Sequence, residues 1–165
     1  MNEDLLHSDA VLEWQAENPR LWWAFEQLDP HDDFRARVLA GIVSNNILPA
    51  VIDGLVRLAD ALENNQRGKE AGTSVLPPEV GLRRSINLVV TRLTKINWNM
   101  TKTFRVDFVT PQGWSGYFDT QNPRIVEITT KFKAQPITVV GEIERHIYDF
   151  LVVVKDVRIM GGLHG

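Results

Sequence analysis

Cysteine is absent from the 165 residues, which excludes disulfides and thiolate metal sites and suits a reducing compartment. No stretch approaches the roughly 18 uninterrupted apolar residues of a membrane span. The opening MNEDLLHSDAVLEWQ is acidic and polar where a secretory signal needs a basic start and an apolar run. These absences predict a soluble, cytoplasmic protein with no membrane partner. Histidine is sparse, with His7, His31, His146 and His164 scattered along the chain. No Gly-x-Ser-x-Gly elbow, His-Glu-x-x-His pair or Gly-rich cofactor loop is present, and RGKEAGTS lacks the glycine spacing of a phosphate-binding loop. Glu127, Glu142 and Glu144 fall on elements expected to face water, so no buried acid and base pair emerges. The expectation is a non-enzyme with no cofactor.

What is present is enough for a core, since 44% of the residues are apolar. The net charge of -3 is unevenly spread: the balance is -7 up to Pro78 and +4 from Glu79 onward. A basic second half suits a polyanion partner, and attraction between the halves is the competing explanation.

The first half reads as helical. Residues 9–17 and 20–28 suggest two short helices, with Pro19 suited to a first helical position. Trp14, Trp22 and Trp23 are a large apolar load for so short a stretch. They suit either the core of a small helical domain or an anchor for a protein partner. Asp29-Pro30-His31-Asp32-Asp33 sets a histidine among carboxylates. Its place before Phe34, Val38, Leu39 and Ile42 argues for helix capping rather than a metal site, and no metal is expected. Ser44-Asn45-Asn46 breaks that helix, and Pro49 opens an amphipathic one with Val51, Leu55, Leu58 and Leu62 on one face. It should end near Asn64 and Asn65. The Gly- and Pro-containing QRGKEAGTSVLPP that follows predicts a mobile linker. The expected organisation is an acidic helical domain over residues 1–65, a linker over 66–81, a β domain over 82–160 and a flexible tail over 161–165.

From Leu82 the composition turns β-branched and aromatic. Residues 85–95 predict a first strand, bulged between Val90 and Leu93, followed by a loop over 96–102. Residues 103–110 and 114–119 predict strands two and three around the Pro111-Gln112-Gly113 turn, with Arg105, Tyr117 and Asp119 facing outward. Residues 123–132 fit both periods; Pro123 after Asn122 favours a short helix, and the Ile, Val and Thr content favours a strand. We take the helix. PITVVGEIERHIYDFLVVVKDVRI then alternates like a hairpin, with Ile137, Val139, Gly141 and Ile143 on one face. Its second strand starts apolar on both faces and alternates later.

That order, over about half of the chain, resembles the OB-fold. The fold class expected is therefore α+β: a small N-terminal helical domain followed by a five-stranded OB-like β-barrel with a short helix between strands three and four. What the resemblance implies is binding of single-stranded DNA or RNA, oligosaccharide or protein, across strands two and three and the loops from one to two and four to five. The residues of this chain in those places are Arg92, Lys95, Trp98, Lys102, Arg105, Tyr117, Arg145 and Tyr148. Cations there would track phosphates and rings would stack on bases. Single-stranded nucleic acid is the expected partner. Docking of a protein or a second copy through Trp14, Trp22, Trp23 and the barrel is the alternative, and carbohydrate binding is a weaker third.

Overall fold

The computed structural model describes residues 3–98 and 101–160, without the side chains of Glu3, Asp4, Asn97, Trp98 and Thr101. The expected tail over 161–165 lies outside the described residues. The chain divides into two compact units, Met1–Asp60 and Ala61–Gly165.

The first unit is helical: α1 (Glu3–Leu6), α2 (Asp9–Glu17), α3 (Pro19–Glu26), α4 (Asp33–Val43) and the opening turns of α5 (Pro49–Ala71). Each start has a local cause. The Ser8 hydroxyl accepts from the Val11 amide at 3.4 Å, Pro19 opens α3, and the Asp32 carboxylate accepts from the Phe34 amide at 2.8 Å. Asp29 accepts from the His31 amide at 2.8 Å, so two carboxylates of the Asp29 to Asp33 cluster satisfy backbone donors. Ser44-Asn45-Asn46 ends α4, with Asn45 in the left-handed region at φ 53° and the Asn46 amide donating to the Gly41 carbonyl at 2.9 Å. Trp22 is buried, stacked on Phe25 at 4.8 Å with Trp14 edge-on at 6.4 Å. Burial of that size supplies about 1.5 to 3 kcal/mol per large side chain. Trp22 therefore belongs to the core, and Trp14 and Trp23 are half-buried.

The second unit holds the rest of α5, then β1 (Arg83–Trp98), β2 (Thr101–Val109), β3 (Ser115–Thr120), α6 (Pro123–Lys131), β4 (Pro136–Tyr148) and β5 (Leu151–Ile159). The strands pair in the order β1-β2-β3-β5-β4, and β1 closes the ring by pairing with β4. β1 manages both partnerships because a register shift between Val90 and Arg92 bends it, at the place the apolar pattern predicts. All pairs are antiparallel except β3 with β5, where Gly116 faces Val152. A Cβ on Gly116 would sit 2.7 Å from the Val152 carbonyl oxygen and 2.8 Å from the Phe108 ring. Only hydrogen in place of a side chain lets that seam form. Ile86, Val106, Phe108, Phe118, Val139 and Val152 fill the interior, and Ile125 of α6 joins them. Leu151, Val152, Val153 and Val154 are all buried and the rest of β5 is not, as its sequence pattern requires. The ambiguous segment is helical because Asn122 caps it, accepting from the Arg124 amide at 2.9 Å.

Two boundaries differ from expectation. Residues 96–98 and 101–102 of the supposed loop are strand: β1 runs to Trp98 and β2 starts at Thr101, with Trp98 opposite Thr101. The supposed helix end at Asn64 and the supposed linker are also wrong. α5 continues to Ala71 because its asparagines have distant partners: Asn64 Nδ2 lies 3.1 Å from the Thr110 carbonyl, 3.2 Å from that of Trp114 and 3.4 Å from Ser115 Oγ. Asn65 adds a donor to the Gly113 carbonyl at 3.2 Å. Beyond the helix, the Val75 amide donates to the Gln112 carbonyl at 2.9 Å, and the Gly81 amide and Leu82 carbonyl bond the backbone of Ile143 at 2.8 and 3.0 Å. The stretch is strapped to the barrel rather than hanging between domains.

Candidate nucleic-acid interface

Strand register decides which of the eight predicted contact residues share a surface. Arg92 lies opposite Asp107, Asp107 opposite Tyr117, Tyr117 opposite Val153, and Val153 opposite Arg145. These five residues form one row across all five strands on the outer face, since side chains alternate between faces along each strand. The next row sets Thr94 opposite Arg105 and Arg105 opposite Asp119.

The centre of this surface is Tyr117. Arg105 lies over its ring with the guanidinium carbon 4.2 Å from the centroid, and Arg145 Nη2 donates to its hydroxyl at 3.3 Å. Arg105 is itself gripped by Asp119 through two bonds of 2.8 and 3.0 Å. The hydrogen bond to Asp119 is the largest influence on the guanidinium and raises its pKa, against the opposing effect of burial. The fork-to-carboxylate geometry orients the planar cation, and the ring face attracts it. Tyr117 is only 7% exposed and Asp107 only 3%, although both stand on the outer parity. Tyr117 was expected to offer its ring to a base; in this arrangement Arg105 already occupies that face.

Lys95 and Lys102 sit elsewhere. They share the parity of Leu93 and Val106, which face inward further down the barrel, but both lie on the β1–β2 arm beyond the core. Lys95 pairs with Phe104 and Lys102 with Asn97, so the two lysines are diagonal neighbours, and both are exposed. The Trp98 ring, expected near them, is outside the described side chains.

Arg145 and Tyr148 lie towards the β4–β5 turn. Arg145 is exposed beside Glu144 at 3.4 Å. Tyr148 stacks on Phe150 at 5.9 Å with the ring planes 17° apart. His146 Nε2 is 2.8 Å from the Pro78 carbonyl, which ties the strap to β4. Further along the same strands Lys155 pairs with Glu142 at 3.3 Å, and that hydrogen bond raises the lysine's pKa. The structure thus gathers Arg92, Arg105, Tyr117 and Arg145 in adjoining rows, and places the lysines on an arm and Tyr148 at a turn.

Sequence inspection missed Asn64 and Asn65, which position the Thr110 to Ser115 corner, and the strap over 72–82. Their partners lie tens of residues away, so the one local signal was a pair of amides inside an otherwise regular helical period. Among the described residues no group of His, Asp and Glu side chains is arranged to hold a metal, and no helix is long and apolar enough to cross a membrane. No protein-family model matches the chain, and neither a curated protein nor a solved structure matches it.

Proposed function

We propose that residues 82–160 are an OB-type barrel of a soluble cytoplasmic protein that binds single-stranded nucleic acid, without catalysis, through cations on and beside the β1–β2 arm. The observation that carries this is the exposed pair Lys95 and Lys102 on a protruding hairpin, on a closed barrel with a helix between its third and fourth strands. That strand order is the one the OB resemblance implies, and such barrels use this arm as one wall of their binding cleft. Arg105 and Asp119 then orient the outer face rather than grip phosphate, because their charges already satisfy each other. Lys95 and Lys102 supply the exposed positive charge of the arm, and Arg145, exposed beside Glu144 and bonded to the Tyr117 hydroxyl, adds a third cation from the β4–β5 side.

Titration of a labelled oligonucleotide at several salt concentrations tests it. With three cations each meeting one phosphate, log K against log salt should fall with a slope of about -2, at about 0.7 per contact for single strands. Lys95→Glu with Lys102→Glu should abolish most of the binding and flatten the slope. Undetectable binding at low salt removes the proposal.

A second reading, docking of another protein, is favoured by the strap. Val75, Leu76 and Val80 are 61%, 77% and 59% exposed, a high apolar exposure for so few residues. Under this reading Leu76→Ser changes the sedimentation behaviour or the bound partners, and the lysine substitutions do not.

A further inference from the structure

The first unit carries an open groove of about 390 Å³ between α2 and α3, walled by Leu12, Gln15 and Ala16 on one side and Pro19 and Trp22 on the other. Trp22 is buried, with Phe25 and Trp14 against its ring, so it closes the floor and offers no face. Leu12 is 48% exposed, and Ala16 and Pro19 are exposed beside it, which makes these three the apolar surface left open. The volume is at the low end of the roughly 300 to 1,000 Å³ of ligand sites, room for one or two bulky side chains.

The rim is of one sign. Asp9, Glu13 and Glu17 recur every four residues and are exposed, forming the row of α2 next to Leu12 and Ala16. Glu26, also exposed, lies one turn beyond Trp22 on α3. Residues 1–60 hold eleven carboxylates against four arginines and no lysine, a balance of -7. No cationic side chain of Lys or Arg precedes Arg20, which is paired with Asp60 at 2.6 Å. Arg35 and Arg37 lie over the rings of Phe25 and Phe34, at 4.9 and 5.6 Å.

We propose that this groove docks a basic segment of another protein, which sets a bulky aliphatic side chain against Leu12, Ala16 and Pro19 and its lysines or arginines on the carboxylate rim. The anchor is required because exposed ion pairs are individually weak, whereas covering apolar surface removes it from water. The cations are required because an acidic segment meets like charge from Asp9, Glu13 and Glu26. Charge therefore selects the partner and the groove places it. This docking is independent of what the barrel binds.

The test uses the full chain, its Leu12 methyl and Trp22 indole N–H resonances, and a synthetic peptide with a Leu-Leu pair between lysines. Two control peptides exchange the lysines for glutamates or the leucines for alanines. The lysine peptide should shift both resonances saturably and bind at least about tenfold more tightly than either control at low salt, and its advantage over the glutamate peptide should shrink as salt rises. Glu13→Lys with Glu26→Lys, changes at exposed helix positions, should cost about tenfold in affinity with an unchanged circular dichroism spectrum, since two exposed attractions become repulsions. Leu12→Ala should narrow the preference for leucine over alanine. Equal binding of the lysine peptide and either control overturns the proposal, as do Leu12 and Trp22 resonances that stay put while the lysine peptide binds. Concentration-dependent self-association that moves the Leu12 resonances also overturns it, because a second copy then fills the groove.

Discussion

Replacing Asn64 by alanine should destabilise the second unit by about 2 kcal/mol. The side chain is 7% exposed, and its amide nitrogen lies within 3.4 Å of three oxygens of the Thr110 to Ser115 corner. An amide has two hydrogens, so two good bonds are the most it can make, each contributing about 1 kcal/mol net. The acceptors are not stranded by the change. Gly113 also donates to the Thr110 carbonyl at 3.2 Å, and the Thr110 amide and hydroxyl reach the Trp114 carbonyl at 3.0 and 2.8 Å. Losing the bonds and leaving a small void gives the sum, with no added penalty for a bare buried carbonyl. For a chain of this size that corresponds to a fall in Tm of about 4 to 8 °C. Urea unfolding followed by circular dichroism should show a lower midpoint with the slope unchanged. Asn65→Ala removes one half-buried bond and should cost under about 1 kcal/mol. If Asn64→Ala lies within about 0.5 kcal/mol of the wild type, the helix does not brace the corner and the reasoning fails.

The pH dependence of a second variant sharpens the same point. Asn64→Asp places a carboxylate against carbonyl oxygens in a buried setting, and both effects raise its folded-state pKa above the unfolded value of about 3.9. The native state then holds the proton over a range where the unfolded chain has released it. Stability must therefore be greatest below the unfolded value and fall as pH rises through the folded one. A deficit independent of pH between about 4 and 8 would contradict the geometry.

Gly116→Ala should destabilise by about 3 kcal/mol or more, because its Cβ would meet the Val152 carbonyl at 2.7 Å; faster amide exchange over 151–154 would report an opened β3–β5 seam, and an unchanged Tm would refute it. Gly72→Ala, at φ 73° with open space around it, should cost only about 1 kcal/mol by thermal melting. A double-mutant cycle of Arg105→Ala with Asp119→Ala should return a coupling of about 1 kcal/mol, since both groups are partly exposed; zero coupling would mean the fork contributes nothing in solution.

How far the sequence foretold this fold depends on whether a residue's partners are near it in the chain. The alternation in residues 136–159 and the bulge after Val90 were legible because a buried face imposes its period on every second residue. Helix starts were local in the same sense: Ser8, Asp32 and Asn122 each bond their own first turn, and Pro19 opens α3 through its fixed φ without a side-chain cap. The outer face was not legible. Period two placed Tyr117 and Asp107 outside the barrel correctly but could not reveal that both are withdrawn from water there, nor that Arg105 covers the tyrosine ring.

The two Asn-Asn pairs isolate the cause. Asn45-Asn46 ends α4, since Asn45 takes the left-handed conformation that asparagine tolerates and the Asn46 amide turns back onto Gly41. Asn64-Asn65 has the same composition and ends nothing. Its side chains are held by carbonyls 46, 50 and 48 residues onward, and the helix continues past it to let Gly68 approach Gly113, where a Cβ would come within 2.9 Å of the opposing Cα. An asparagine stops a helix when it takes the left-handed conformation at the end, and is carried through one when a tertiary partner holds its side chain. Moving the second pair out of reach should therefore restore the stop: with the Thr110 to Ser115 corner replaced by a tight Asn-Gly hairpin, amide exchange over 66–71 should rise to that of a frayed helix end, and protection retained there would show that intrinsic helical propensity alone carries α5 to Ala71.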